Sequence, residues 1–485
     1  MADRKFRVVV AGAGVSGLFM AETLKRARID FTVYEKAGEV GGTWRDNTFP
    51  GLFVDVLSRQ YEFPFQPNYG WSRKYAPAAE IWDYVKKVAR DRGLTRFIRF
   101  NQEVVAARYA GGRWQIETAG GGTDVADAFI CATGFLHRPL YPEIAGRDSF
   151  AGPSFHSACW DHGVPYDGKR WGVIGSGASG VQITEALAWA GCEVTQFIRR
   201  AQWVHIRENP RSTWRERLML RLPFAYRREQ RRLWQFINEF DKWRLEPGPQ
   251  RAAMERDYAS YLDCIADPEL KRKLTPDYNL GCTRIPKSDK NYYMAVQLPN
   301  AHIVKGQIDR IVPDGVVMAD GTEVALDVLV HATGFDAHAY MRPMQVTGLD
   351  GTTIDEAWKD EIYSYGGIAV PGFPNFFMLY GPFAPVNNVP VPLGLEQEIA
   401  CVMRLLAEAR ARRAAVTPTV EATQRFLARL RRAFPATVWV GGCQNWYTGD
   451  QATPVLWPLP QSEHKEFLAA APLDDFQFIP TGEGD

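Results

Sequence analysis

The chain has 485 residues, a prior of about three domains at roughly 150 residues each, and is long enough to bury sizeable cores without staples or metals. Its 57 Lys and Arg balance 56 Asp and Glu, which argues against a globally basic nucleic-acid binder, and 46% hydrophobic with 23% charged residues is ordinary for a soluble globular protein. Seven scattered cysteines (Cys131, Cys159, Cys192, Cys264, Cys282, Cys401, Cys443) form no CxxC and eight scattered histidines form no HExxH, so no disulfide framework, dithiol redox motif or metal centre is expected.

Lys5 to Ala11 is a β-rich run. The glycines after it interrupt the apolar stretch that follows Arg4, Lys5 and Arg7, so it reads as a strand and a turn rather than a secretory leader. No apolar run approaches the ~18 residues of a membrane span, and cytoplasmic residence is the resulting expectation. Gly12-Ala13-Gly14-Val15-Ser16-Gly17 comes next, then a helix to about Arg28 and a second strand from Phe31 to Glu35, which is a βαβ opening. Phe97 to Cys131 alternates strand-like runs with glycine clusters, as an antiparallel meander that rejoins the parallel sheet. A second βαβ unit begins at Trp171 and runs through Gly175-Ser176-Gly177-Ala178-Ser179-Gly180, a helix to about Ala190 and a strand from Glu193 to Ile198.

Arg207 to Leu270 is rich in Arg, Trp, Leu and Glu and reads as a helical insertion. Its start, Arg207 to Arg232, holds nine Arg against three Glu. A membrane-surface or nucleic-acid patch is conceivable there, but a solvated helical face is preferred, with Trp214, Leu218, Leu222, Trp234 and Ile237 as core contacts. Ile303 to Gly334 returns to strands, and a mixed segment ends in a frayed tail, Thr481 to Asp485.

The two glycine loops carry the first chemical information. In such a loop the first Gly makes the tight turn, the second lets a pyrophosphate reach the backbone, and the third lets helix and strand pack; the phosphates then sit on the helix N-terminus. Glu35 ends the strand after the first loop and suits an adenosine ribose. Arg199 and Arg200 stand at the corresponding place after the second and suit a 2′-phosphate. The first site is therefore expected to hold FAD and the second NADPH.

Phe150, Gly152, His156, Trp160 and Asp161 form a segment that resembles the FxGxxxHxxxW(P/D) fingerprint of type I (class B) flavin-dependent Baeyer–Villiger monooxygenases. Gly41-Gly42-Thr43-Trp44, Phe49-Pro50-Gly51 and Asp55 match a second pattern of that family, and Ala132-Thr133-Gly134 and Ala332-Thr333-Gly334 are two further marks. Gly281-Cys282-Thr283-Arg284-Ile285-Pro286 is similar to the family segment that supplies the catalytic arginine. The resemblance spans nearly the whole chain. It implies an α/β fold with two Rossmann-like dinucleotide-binding domains and a helical insertion in the NADPH domain. The FAD domain would take residues 1–146 and 336–485, the NADPH domain 147–206 and 281–335, and the insertion 207–280.

The activity implied is conversion of a small-molecule ketone to an ester or lactone with FAD, NADPH and O₂ through a C4a-peroxyflavin. The alternative is a flavin monooxygenase that oxidises sulfur or nitrogen. Arg284 is the implied catalytic cation and Asp55 its orienting partner. Gly42, Thr43, Trp44, Val104 and Trp446 join the glycine loops as cofactor contacts, and Phe135, Leu136, Phe383 and Tyr447 as the ketone pocket. His156 and Trp160 are read as a structural hinge in the linker. Thr283 departs from the family's usual lysine, which helps bind the 2′-phosphate; Arg200 is available to take over that charge. Neither a nucleic-acid partner nor a membrane span is expected, and the oligomeric state is left open.

Overall fold

The computed structural model describes residues 5–240, 242–385, 389–443, 447–448 and 453–481. Two five-stranded parallel sheets organise it. In the first, the strand order is Phe376–Met378, Ala128–Cys131, Arg7–Ala11, Asp30–Tyr34, Ile98–Arg99. In the second it is Ala301–Lys305, Glu193–Ile198, Arg170–Ile174, Val328–His331, Ser154–His156. Each glycine-loop strand lies at the centre of its sheet. Val8 pairs with Phe31 on one side and Ala128 on the other, while Val173 pairs with Gln196 and Val330. The same plan is therefore built twice, and a central strand covered on both faces must be apolar throughout, as Val8 to Val10 and Trp171 to Val173 are. The fold is α/β with two Rossmann-like units.

Antiparallel strands complete each unit. Val104–Ala110, Arg113–Thr118 and Thr123–Ala126 form the expected meander, which Gln345–Thr347 extends in parallel from far along the chain. Ile308–Val312, Gly315–Met318 and Glu323–Ala325 form a second meander beside the second sheet. The two units interlock through Phe49, which is buried in the second unit's core with Trp160, Trp171 and Ile183.

The region read as a helical insertion contains helices Trp214–Met219, Pro223–Phe240, Lys242–Leu245, Pro249–Ser260 and Pro268–Leu274. One expectation about it fails. Trp214, Leu218 and Leu222 are not core contacts but are exposed, whereas Ile237 is buried and Trp234 packs beside it. Their spacing would put them on one side of a continuous helix, but the helix ends at Met219, Leu222 falls in the bend before Pro223, and no element among the described residues buries them.

The cysteines hold a second correction. Cys282 and Cys443 form a disulfide, with Cα atoms 6.1 Å apart. They are separated by 161 residues, so no local spacing could announce the bridge. No helix among the described residues is long and apolar enough to cross a membrane.

Candidate active site

Both glycine loops open onto one cleft of about 1500 Å³. Their glycines have different jobs. A Cβ on Gly17 would lie 1.8 Å from Gly12 O, and one on Gly180 would lie 2.3 Å from Gly175 O, so the third glycine of each loop is dictated by packing of helix on strand. At Gly177, by contrast, a Cβ would meet no atom within 4 Å, and at Gly14 the nearest is Gly42 Cα at 3.6 Å. Protein packing gives no reason for the small residue there; a ligand approaching the backbone does. The helices that follow, Val15–Arg26 and Ala178–Trp189, have no side-chain cap at Gly14 or Gly177 and no acid in the first turn. Their first N–H groups and positive ends are left for an anion.

At the first loop, the buried Glu35 accepts from Ala13 N at 2.8 Å and Ala37 N at 3.0 Å and pairs with Arg45 at 3.0 Å. A carboxylate offers about four acceptor sites, so one remains for a ribose hydroxyl. Ser16, Gly42, Thr43, Trp44 and Val104 line the cleft around it, and Trp44 Nε1 donates to Tyr61 OH at 2.9 Å. This end could hold FAD.

At the second loop, Ser176, Gly177, Ala178 and Ser179 line the cleft with Arg199 and Arg200. Arg199 is exposed. Arg200 is pinned, its guanidinium 2.8 Å from Asp277 and 5.0 Å from the Tyr278 ring centre. Thr283 Oγ1 donates to Gln202 Oε1 at 2.9 Å. A 2′-phosphate would thus meet Arg199 as the uncommitted cation and Arg200 as one already shared with a carboxylate, so this end could hold NADPH.

Between the two ends, Arg284 Nη2 donates to Asp55 Oδ2 and Lys287 Nζ to Asp55 O. The Arg284 and Asp55 side chains keep 34% and 27% of their exposure, enough to face a bound molecule. Burial alone would raise the Asp55 carboxyl, but the charges of Arg284 and Lys287 hold it well below the usual carboxylate range. Asp55 in turn pushes the Arg284 guanidinium still higher against the effect of burial. Burial, with Arg207, Arg284 and Arg244 nearby, lowers Lys287 to about 8, although Asp55 opposes this.

Arg284 lies just before the short strand Lys287–Ser288, which pairs with His205–Ile206. Ser288 Oγ donates to Glu185 Oε1 at 2.6 Å, and Lys290 N reaches the same oxygen at 3.0 Å. Glu185 sits on the helix of the second glycine loop, so that helix anchors the arginine's segment. Sequence reasoning missed Lys287, Tyr61, Arg207 and Arg244, all of which line the cleft. The available signal for Lys287 was its place three residues after Arg284; Arg207 was hidden in a basic stretch.

The other expected residues divide. Phe135, Leu136 and Tyr447 line the cleft. Phe383 does not: it is buried, edge-on to Phe426 at 6.5 Å, because its turn sends the ring into the core. Trp446 lies outside the described residues. In the fingerprint, Phe150 is buried, and a Cβ on Gly152 would lie 2.3 Å from Asp327 O. Trp160 stacks on Trp171 at 5.7 Å, and Asp161 accepts from Gly163 N at 2.8 Å in a turn. His156 Nδ1 accepts from Ala158 N at 3.0 Å, so Nε2 carries the proton and donates to Gly334 O at 2.9 Å. Both ring nitrogens are spent on backbone, which fastens the linker to the second Ala-Thr-Gly segment.

Fold and cleft together define a two-dinucleotide oxidoreductase. A family model for pyridine nucleotide-disulphide oxidoreductases matches residues 9–231. An uncharacterized monooxygenase of Mycobacterium tuberculosis is 41% identical over 97% of this chain and 95% of its own length. A Baeyer–Villiger monooxygenase of Streptomyces coelicolor is 36% identical over 98% of this chain and 92% of its own. Among solved structures, cyclohexanone monooxygenase from Rhodococcus sp. Phi1 bound to NADP⁺ superposes with a TM-score of 0.87 at 26% identity, covering 98% of this chain and all of that one. An oxidized steroid monooxygenase bound to NADP does so at 0.88 and 28%, with the same coverage. The chain belongs to the Baeyer–Villiger monooxygenase family.

Proposed function

We propose that the protein is an FAD- and NADPH-dependent monooxygenase that inserts one atom of O₂ beside the carbonyl of a ketone, giving an ester or lactone while the other atom leaves as water. The observation that carries the reading is the Arg284–Asp55 pair, facing the cleft between two dinucleotide loops. When bound, NADPH supplies the hydride and FAD the means of activating O₂. Arg284 provides a cation that does not titrate, placed where negative charge develops on oxygen as the carbonyl is attacked. Asp55 orients that guanidinium, and Lys287 adds a second positive charge to the same field. Phe135, Leu136 and Tyr447 supply an apolar wall for the ketone.

In this reading residues 1–146 and 336–485 bind FAD, 147–206 and 281–335 bind NADPH, and 207–280 form a helical insertion within the NADPH domain. Cytoplasmic residence, expected from the sequence, belongs to the same reading. The test is product analysis on a panel of cyclic ketones and sulfides. The wild type is expected to yield lactone. Arg284→Ala should lose about 10²–10³ of the lactone rate while NADPH still reduces the flavin. Lactone formation that survives in the variant, or sulfoxide as the sole product from the whole panel, overturns the proposal.

A further inference from the structure

The start of the helical insertion is unlike the rest of the surface. Trp214, Leu218, Met219, Leu222 and Phe224 are all exposed, and Phe224 and Trp214, at 69% and 68%, are the most exposed large apolar side chains among the described residues. Five such residues fall within eleven positions, a local concentration of exposed apolar side chains of the kind that marks an interaction surface. Exposed arginines alternate with them and follow them along the chain, including Arg215, Arg221, Arg227 and Arg231. Of the three acids between Arg207 and Arg232, Glu216 closes a capping box with Thr213 and Glu229 faces Arg232 at 3.8 Å, while the exposed Glu208 lies six residues before Trp214. Arg215 also lies over the Trp214 ring at 5.4 Å.

We propose that this face, the helix Trp214–Met219 and the start of Pro223–Phe240, docks on an anionic phospholipid surface. Apolar side chains enter the headgroup boundary and the arginines meet lipid phosphates and carboxylates. Trp, Phe and Leu beside a strongly basic surface is the combination that holds an amphipathic helix in a membrane interface. A second copy of the chain fits less well, because a two-fold contact through this patch would bring the same arginines face to face. Nucleic acid would satisfy the arginines but leave Leu218, Met219 and Leu222 in water. The helix carrying Phe224 also carries Phe236 and Ile237, which line the cleft, twelve residues or about 18 Å further along its axis. Docking would thus hold the cleft close to the lipid phase.

The experiment is co-sedimentation of the FAD-loaded full-length enzyme with two kinds of vesicle, phosphatidylcholine alone and equal parts phosphatidylcholine and phosphatidylserine. Binding is expected to the mixed vesicles only and to weaken as NaCl is raised. The double variant Trp214→Asp/Phe224→Asp and the double variant Arg227→Glu/Arg231→Glu should each lower the partition coefficient by about tenfold or more. Because all four side chains are on the surface, both variants should keep the wild-type melting temperature and NADPH oxidation in vesicle-free buffer. Absence of binding to mixed vesicles, equal binding to neutral ones, or undiminished binding by either variant overturns the proposal. So does self-association of the wild type that Trp214→Asp/Phe224→Asp abolishes when no vesicle binding is seen. None of these readouts depends on which substrate is oxidised.

Discussion

Lys287 and Arg284 stand three residues apart and share Asp55, yet they answer differently to pH. Arg284 keeps its charge at every working pH. Lys287, lowered to about 8, is charged below that value and neutral above it. If the added positive charge assists, the rate should fall as pH rises through about 8, and in Lys287→Met that limb of the kcat–pH profile should vanish; a limb that persists belongs to another group. The depressed pKa also has a sign for stability. Between about 8 and the ordinary lysine range the unfolded chain holds a proton that the folded one does not, so this group favours folding increasingly as pH climbs across that window. The glycines offer a second contrast at this scale. Gly17→Ala forces an overlap with Gly12 O and should cost about 1–3 kcal/mol or more, seen as a lower melting temperature. Gly177→Ala has room, so the melting temperature should hold while KM for NADPH rises about tenfold, by displacement of the pyrophosphate from the backbone.

Helix Pro223–Phe240 is tied to the first unit by a buried carboxyl. Glu62 accepts from Trp71 Nε1 at 2.6 Å and from Tyr226 OH at 3.0 Å. Burial raises it to about 7 against those two hydrogen bonds. Its folded pKa therefore lies above the unfolded one, so its contribution is fully present below about 4.5 and is lost as pH rises through about 7. Glu62→Gln should flatten this part of the stability profile, removing at most about 3 kcal/mol of pH dependence, which thermal melts across the range would measure. The same helical region shows what element-level reading can and cannot reach. Composition was enough to expect helices after Arg207. It was not enough to say what covers Trp214, Leu218 and Leu222, because periodicity states which residues share a face and not what lies opposite.

The whole molecule is closed by contacts between segments far apart in sequence. Phe49, from the first unit, packs in the second unit's core, and Cys282, two residues before Arg284, is bridged to Cys443. The bridge therefore fastens the loop that carries Arg284 to a residue 161 positions further along the chain, which also lines the cleft. Cys443→Ser should lower stability by about 2–5 kcal/mol in melts under oxidising conditions. Dithiothreitol should impose the same loss on the wild type and leave the variant unchanged; a wild type indifferent to reductant would show that the bridge carries no stability.

The sequence by itself determined the two βαβ openings, because a turn that brings strand, helix and phosphate together admits few residues. It also carried the pairing of Arg284 with Asp55, since family motifs preserve those residues at recognisable places. Glu35 and Arg199 could be picked out as candidates for a related reason: each directly follows the strand after its loop, 18 and 19 residues beyond the third glycine. Tertiary structure alone decided that Phe383 turns into the core, that Lys287, Tyr61, Arg207 and Arg244 enter the cleft, that Cys282 meets Cys443, and that the apolar side of Trp214–Met219 stays uncovered. Local motifs obey short-range geometry, which a linear pattern records. Burial and pairing across a hundred or more residues depend on how the units dock, and nothing in the spacing of the residues encodes that directly.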